Sequence, residues 1–123
     1  MTISEAINQI DTLKVNTYSQ KEKIEWLSRV DGMIKKNIID THEDGDNVVF
    51  NGYTSDTNLD TELLAPHPYD ELYIRWLEAQ IDYANAEYGK YNNSITTYNA
   101  TVANYESYYN RQHMPKGKSF KCF

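Results

Sequence analysis

The chain has a single cysteine, Cys122, and no uninterrupted apolar run long enough to cross a membrane. One cysteine cannot form an intramolecular disulfide, and disulfides are the usual mark of small secreted domains. A membrane-spanning helix needs about 20 predominantly apolar residues, and the N-terminus lacks the basic and apolar regions of a signal peptide. We therefore expect a soluble protein made in a cytosol, with no membrane association.

Basic residues are also scarce: 12 lysines and arginines face 18 acids, for a formal charge of −6. This balance argues against a free nucleic-acid-binding protein. Residues 40–87 hold twelve acids and one base, whereas residues 111–123 hold four bases and no acid. The pattern indicates an acidic body with a basic tail. A chain of 123 residues predicts one domain.

Signatures of catalysis and metal binding are absent. His42, His67 and His113 are scattered, and no glycine-rich phosphate loop or pair of histidines at helical spacing occurs. On the twelve-position calcium loop, Asp40 would take the first position, but Asn51 would then take the last, where a bidentate carboxylate is required. We expect no catalytic residue, no cofactor and no metal site.

The dominant feature of the sequence is a helical stripe of apolar and aromatic residues, which recur in alternating steps of three and four. A second file widens the buried face of the first half. One straight helix from Tyr69 to Tyr109 would be roughly 60 Å long at about 1.5 Å per residue. The first file is Ile74, Leu77, Ile81, Ala84, Tyr88, Tyr91, Ile95, Tyr98, Val102, Tyr105 and Tyr109; the second is Tyr69, Leu72, Trp76, Ala79 and Tyr83.

Gly89 interrupts this stripe. A glycine inside a helix costs roughly 1 kcal/mol relative to alanine, which a packed helix can absorb. The unbroken pattern therefore favours one continuous helix, and a kink at Gly89 is the alternative. The tyrosines of the second half suit either the core of the subunit or a surface covered by another subunit, because the ring buries apolar area while the hydroxyl keeps a polar partner.

Two shorter helices precede the stripe. Isoleucines and leucines on one face predict a helix over residues 3–13, capped by Thr2 or Ser4. Ser19 and Glu22 have the spacing of a capping box and predict a second helix over about residues 20–39.

Residues 40–68 are predicted to form a long acidic loop. Val48–Phe50 could form a short strand, and Asn51-Gly52 is a hairpin signal, but the segment that follows is a poor return strand. At the other end of the chain, Pro115 cannot continue a helix, so the basic tail is predicted to be extended.

The predicted fold is all-α: a small helical bundle with one long C-terminal helix, a long acidic loop with at most a small β ribbon, and an extended C-terminal arm. Residues 1–111 would form the helical domain, and residues 112–123 a flexible basic arm.

Several segments resemble a known family. They are residues 64–73 (LAPHPYDELY), 76–82 (WLEAQID), 87–93 (EYGKYNN), 98–99 (YN) and 108–111 (YYNR), together with residues 2–7 and the helix start at residues 18–19. Over nearly its whole length the chain resembles the head–tail connector proteins, or head-completion adaptors, of tailed bacteriophages and prophages.

The resemblance implies a non-enzymatic structural protein of the virion neck, assembled in the cytoplasm of the bacterial host. Small all-helical subunits would form a ring of about twelve copies under the portal protein. The ring would extend the channel through which DNA passes, and it would receive a neck or tail completion protein.

The resemblance also implies roles for three groups of residues. Tyrosines would form the subunit interface, the tail would dock on the portal, and acids of the loop would line or rim the channel, where negative charge keeps DNA from binding. The interface residues are Tyr91, Tyr98, Tyr105, Tyr108 and Tyr109; the arm residues are Lys116, Lys118, Phe120, Lys121 and Phe123; the acids are Glu43, Asp44, Asp46, Asp56 and Asp60.

Two alternatives remain open at the level of the sequence. A non-catalytic helical binding module would use the tyrosine-rich helix face against a peptide or helix. A small enzyme based on carboxylates ranks last, and it would need a buried carboxylate with a strongly raised pKa. We expect Glu78, Asp82 and Glu87 to form a solvated helix face instead.

Overall fold

The computed structural model describes residues 1–116, which form four α-helices and two single turns of 3-10 helix. The α-helices are α1 (Ile3–Leu13), α2 (Gln20–Asn37), α3 (Glu71–Ala84) and α4 (Tyr88–Gln112), and the 3-10 turns are Ile39–Thr41 and Gly45–Asn47. The predicted all-α bundle is confirmed. No helix of the described residues is both long enough and apolar enough to span a membrane.

Capping boxes start the first two helices. The side chain of Thr2 accepts a hydrogen bond from the Glu5 amide at 3.1 Å, and the Glu5 carboxylate accepts one from the Thr2 amide at 2.8 Å. Ser19 and Glu22 repeat this arrangement at the start of α2. Each box satisfies two amides that have no partner within the helix. The predicted starts are correct, while α2 ends at Asn37, two residues before the prediction.

The predicted continuous helix is divided in two, and the break lies at residues 85–87 rather than at Gly89. The Glu87 amide donates to the Asp82 carbonyl and the Ala86 amide donates to the Tyr83 carbonyl, both at 2.9 Å. This is the Schellman pattern that ends helices. Ala86 takes its left-handed position with a φ of 59°, whereas Gly89 lies in the first turn of α4.

After the break, α4 folds back along α3 as an antiparallel hairpin. Aromatic pairs mark its register: steps of seven residues backward along α3 match steps of seven forward along α4. The ring centroids are 5.2 Å apart for Tyr83 and Tyr91, 5.1 Å for Trp76 and Tyr98, and 6.0 Å for Tyr69 and Tyr105. The second predicted file therefore packs against the tyrosine part of the first. The second helix of the hairpin, α4, is 25 residues long.

The loop between α2 and α3 is packed onto the helices. The Ile3 and Ser4 amides donate to the carbonyls of Thr61 and Leu59 at 3.1 and 3.0 Å, and Tyr53, Leu63 and Ala65 are buried. Gly52 has the left-handed φ (88°) expected of a turn glycine, but no return strand follows it. Within residues 1–116 the predicted ribbon is reduced to isolated bridges between Thr2 and Glu62 and between His42 and Pro115.

We predict that Ala86→Gly stabilises the protein by about 1 kcal/mol, because glycine adopts the left-handed conformation without the steric cost that a Cβ brings. Urea unfolding followed by circular dichroism measures the change. Gly89→Ala is the companion variant: a Cβ at residue 89 meets no heavy atom within 4 Å, so it should not destabilise the fold. Loss of stability in both variants would mean that the helix breaks at Gly89.

Candidate functional site

The predicted interface tyrosines lie mostly inside the subunit. Tyr98, Tyr105 and Tyr109 are buried, and only Tyr91 and Tyr108 are partly exposed. Tyr105 is 1% exposed and lies between Tyr69 on one side and Tyr109 on the other. The burial of these three side chains argues against their assignment to a subunit interface and gives them an intramolecular packing role.

Burial keeps the hydroxyls of the buried tyrosines protonated. Burial raises the pKa of Tyr98 to about 12 and raises the pKa of Tyr105 further, so both phenols stay neutral at physiological pH. Among the described residues, the buried side-chain oxygen or nitrogen without a hydrogen-bond partner is Asp44 Oδ1. The tyrosine hydroxyls therefore have a partner or reach water, as expected of tyrosine in a small core.

An apolar groove opens between α2 and α4, with Trp76 of α3 at its floor. It encloses about 370 Å³, within the usual range of ligand clefts. Buried side chains form the floor, and Met33, Ile95 and Val102 are partly exposed along its walls. We call this surface the α2–α4 groove; its lining is Met33, Ile34, Asn37, Ile38, Trp76, Ile95, Tyr98, Asn99, Val102 and Glu106.

A second apolar surface lies between α1 and α3, and we call it the α1 patch. Leu13 is 55% exposed there, beside Ile74 of α3. Asn8, Gln9 and Thr12 complete its lining. Ile74 and Trp76 are two positions apart, which corresponds to roughly 200° around a helix. The groove and the patch therefore lie on opposite sides of α3.

The predicted acids of the loop are spread along its surface. Glu43, Asp46, Asp56 and Asp60 are exposed, and none of them forms an ion pair within residues 1–116. Asp44 differs from them, because its Oδ2 lies 2.6 Å from His113 Nδ1. Asp44 therefore has a role within the fold, and the other four remain a negatively charged surface.

The predicted arm begins inside the folded part of the chain. The Glu43 amide donates to the Met114 carbonyl and the Lys116 amide donates to the Thr41 carbonyl, both at 2.8 Å. The predicted boundary after residue 111 therefore assigns one side of this contact to the helical domain and the other side to the arm. We call this contact of residues 41–44 with residues 113–116 the C-terminal clasp. Lys116 itself is exposed. The other arm residues, Lys118, Phe120, Lys121 and Phe123, lie outside the described residues.

Two histidines pack the C-terminal clasp against α4. The His113 ring stacks on Tyr109 with ring centroids 3.8 Å apart, and the buried His42 packs edge-on against Tyr109 with centroids 4.8 Å apart. His42 Nδ1 donates to the Ile38 carbonyl at 2.6 Å, since a carbonyl can only accept. Its Nε2 lies 2.8 Å from the side-chain oxygen Oδ1 of Asn110. The cluster joins the end of α2, the loop and the end of α4.

Asp31 of α2 is a fully buried carboxylate. Its oxygens accept hydrogen bonds from the Tyr53 hydroxyl at 2.5 Å, the Tyr73 hydroxyl at 2.6 Å and the Leu64 amide at 3.1 Å. Burial raises the pKa of Asp31, and these hydrogen bonds partly oppose the rise. Because the folded state then binds the proton more tightly than the unfolded chain, this group's contribution to stability falls as the pH rises above the ordinary value of 3.8.

A raised carboxyl pKa is the feature that an enzyme based on carboxylates would need, yet Asp31 is not placed to meet a substrate. It is 0% exposed, it does not line the α2–α4 groove or the α1 patch, and both of its oxygens accept hydrogen bonds from the protein. We assign it to holding the loop on the helices.

Asp82 is a second buried carboxylate, and its expected place on a solvated helix face is wrong. Lys14 Nζ lies 2.7 Å from Asp82 Oδ1, and Ser94 Oγ donates to Oδ2 at 2.6 Å. Asp82 thus ties the end of α1 to both arms of the hairpin. The burial of Asp31 and Asp82 could not be predicted from the sequence, because an isolated aspartate on an amphipathic helix is most often exposed.

We predict that Tyr73→Phe lowers the free energy of unfolding by about 3 kcal/mol. The hydroxyl it removes donates to Asp31 and accepts from the Ala65 amide at 2.7 Å, and each buried group left unpaired costs about 1–3 kcal/mol. Tyr53→Phe removes one such bond and should cost about half as much. The exposed Tyr88 provides the control, since Tyr88→Phe should stay within about 0.5 kcal/mol. Urea unfolding ranks the three variants, and equal effects at residues 73 and 88 would contradict the role of Asp31.

We predict that His113→Ala opens the C-terminal clasp. Losing the contact with Asp44 and the stack on Tyr109 should speed hydrogen exchange at the Glu43 and Lys116 amides roughly tenfold, which corresponds to about 1.4 kcal/mol of local stability. His67→Ala is the matched control, because the His67 side chain is 85% exposed. Unchanged protection of both amides in His113→Ala would show that the backbone hydrogen bonds hold the clasp alone.

Comparison of the chain with protein-family models, with curated proteins and with solved structures finds no match. The placement of residues in the fold and the resemblance of the sequence segments are therefore the basis for a function.

Proposed function

We propose that the protein is a head–tail connector subunit of a tailed bacteriophage or prophage. About twelve copies would form a ring in the virion neck, between the portal protein and a neck or tail completion protein. The ring would extend the channel through which DNA passes. Its role is assembly, and it takes place in the cytoplasm of the bacterial host.

The observation that carries this proposal is the pair of apolar surfaces on opposite sides of α3. A ring of identical subunits requires two different surfaces on each copy, because each subunit contacts one neighbour with one surface and the other neighbour with the other. The α2–α4 groove and the α1 patch meet this requirement. A groove with buried apolar side chains at its floor can receive a projecting apolar side chain, and Leu13 projects from the patch with 55% of its area exposed.

In this proposal the subunit contacts are therefore made by these two surfaces and not by the tyrosines predicted from the sequence. Tyr98, Tyr105 and Tyr109 keep their packing role in this proposal, while Tyr91 and Tyr108 retain some exposed area for a neighbour.

The exposed acids of the loop support a position of this loop beside the DNA that passes through the channel. Glu43, Asp46, Asp56 and Asp60 lie at the surface without a basic partner in residues 1–116, so they repel phosphates rather than bind them. A channel lined by negative charge lets DNA pass without being held. In this proposal Asp44 is excluded from the channel group because His113 engages it.

The test is to mix the protein with the portal ring encoded in the same genome and to image the product by electron microscopy. We expect a collar of repeated density at one end of the portal, with a copy number near twelve. Val102→Glu places a charge in the α2–α4 groove and should abolish the collar. Ala103→Glu is the matched control, because residue 103 is exposed on the same helix and does not line the groove.

Bare portals with the unmodified protein would contradict the connector proposal. A collar that persists in Val102→Glu would contradict the use of the groove in the ring, while leaving the connector role standing.

A second function is favoured by the shape of the groove itself. An apolar groove between two helices is the kind of site that accepts an amphipathic helix of a partner, so the chain would then be a non-catalytic binding module. In that case the groove takes the place of the predicted tyrosine face, and a 1:1 complex with a cellular protein replaces the collar.

A further inference from the structure

The α2–α4 groove is an apolar depression with buried side chains at its floor, and nothing in residues 1–116 covers it. Its side along α4 runs from Ile95 to Glu106, about 16 Å at about 1.5 Å per residue. Trp76 and Tyr98 at its floor are 8% and 6% exposed. It is therefore long enough for a short peptide, and its floor is apolar.

The described chain ends beside this groove. The Lys116 amide donates to the Thr41 carbonyl at 2.8 Å, and the Thr41 hydroxyl donates to the carbonyl of Ile38 at 2.6 Å. Ile38 lines the groove at its end. Lys116, the last described residue, is therefore bonded to the 3-10 turn that directly follows Ile38.

The residues that follow have the chemistry to fill it. Residues 117–123 (GKSFKCF) contain two phenylalanines, two lysines and no acid, and seven extended residues reach about 23 Å. Phe120 and Phe123 are three positions apart; a polyproline II segment, with three residues per turn and a rise of about 3.1 Å per residue, would present both side chains on one side about 9 Å apart, which is within the length of the groove. The charge also matches, because residues 1–116 hold ten bases and eighteen acids and Glu106 lies on the groove wall.

We propose that residues 117–123 bind in the α2–α4 groove of their own subunit, with Phe120 and Phe123 on its apolar floor and a lysine near Glu106. Attachment beside the groove favours this occupant over a second copy, because a short tether gives an effective concentration on the order of millimolar. The proposal concerns the free protein and does not depend on the connector function.

Cys122 makes a direct test possible, because it is the single cysteine of the chain and lies next to Phe123. A nitroxide spin label attached to Cys122 in uniformly ¹⁵N-labelled full-length protein should broaden the amide signals of Ile95, Asn99 and Val102. The amides of Gln9 and Thr12, at the α1 patch on the other side of α3, serve as the reference and should be affected far less.

A mixed sample separates binding within a subunit from binding between subunits. ¹⁵N-labelled Cys122→Ser protein is mixed with spin-labelled protein of natural isotope content, so that any broadening comes from a second molecule. We expect the groove amides to be unaffected in this mixture. Broadening of the groove there would overturn the proposal in favour of a second copy as the occupant.

A double variant, Phe120→Ser with Phe123→Ser, should lose the broadening of the groove amides in the spin-labelled sample while its spectrum otherwise stays that of the unmodified fold. Absence of groove broadening in the unmodified protein would overturn the proposal, as would its persistence in the double variant. The portal is not present in any of these samples, so failure here is distinguishable from failure of the connector proposal.

Discussion

The fold depends on one buried carboxylate. Asp31 accepts hydrogen bonds from Tyr53 and Leu64 of the long loop and from Tyr73 of α3, so a single side chain of α2 fixes two other parts of the chain. A buried charge is costly without partners, and its three donors offset that cost only when loop and helix are both in place. The loop is acidic and rich in polar residues, and this network together with the buried Tyr53, Leu63 and Ala65 explains why it packs on the helices.

The hairpin of α3 and α4 determines which surfaces remain for a partner. Folding α4 back onto α3 buries Tyr98, Tyr105 and Tyr109, and Asp82 ties the hairpin to α1 through Lys14. The apolar surfaces that residues 1–116 leave uncovered include the groove toward α2 and the patch toward α1. Intramolecular packing therefore determines which surfaces are available for assembly: Tyr98 lines the floor of the groove, whereas Tyr105 and Tyr109 line neither surface.

The C-terminal clasp connects these surfaces to the tail. His113 and Asp44 hold residues 113–116 against the loop beside Ile38, so the groove, the exposed Glu43 and the last described residues lie near the C-terminal end of α2. A tail that fills the groove in the free subunit would have to leave before a neighbouring subunit could use it. In the connector proposal, the tail and the neighbour thus compete for one surface.

The sequence by itself determined α1 and α2 with their starts, the helical character of most of residues 71–112 and the spacing of the buried faces, because capping boxes and helical periodicity are local properties of the chain. It did not reveal that the predicted long helix is divided into α3 and α4. A Schellman turn closed by Ala86 carries no glycine signal, and the seven-residue spacing of the aromatics is the same in a continuous helix and in two that fold back on each other.

Only the tertiary structure decided which tyrosines are core, which aspartates are buried and where the groove opens. Each of these depends on contacts between residues far apart in the chain: Asp31 with Tyr73, Lys14 with Asp82, His42 with Asn110. A tyrosine on a helix face looks the same in sequence whether its neighbour is another helix of its own subunit or a second molecule. The difference is set by the direction in which α4 returns.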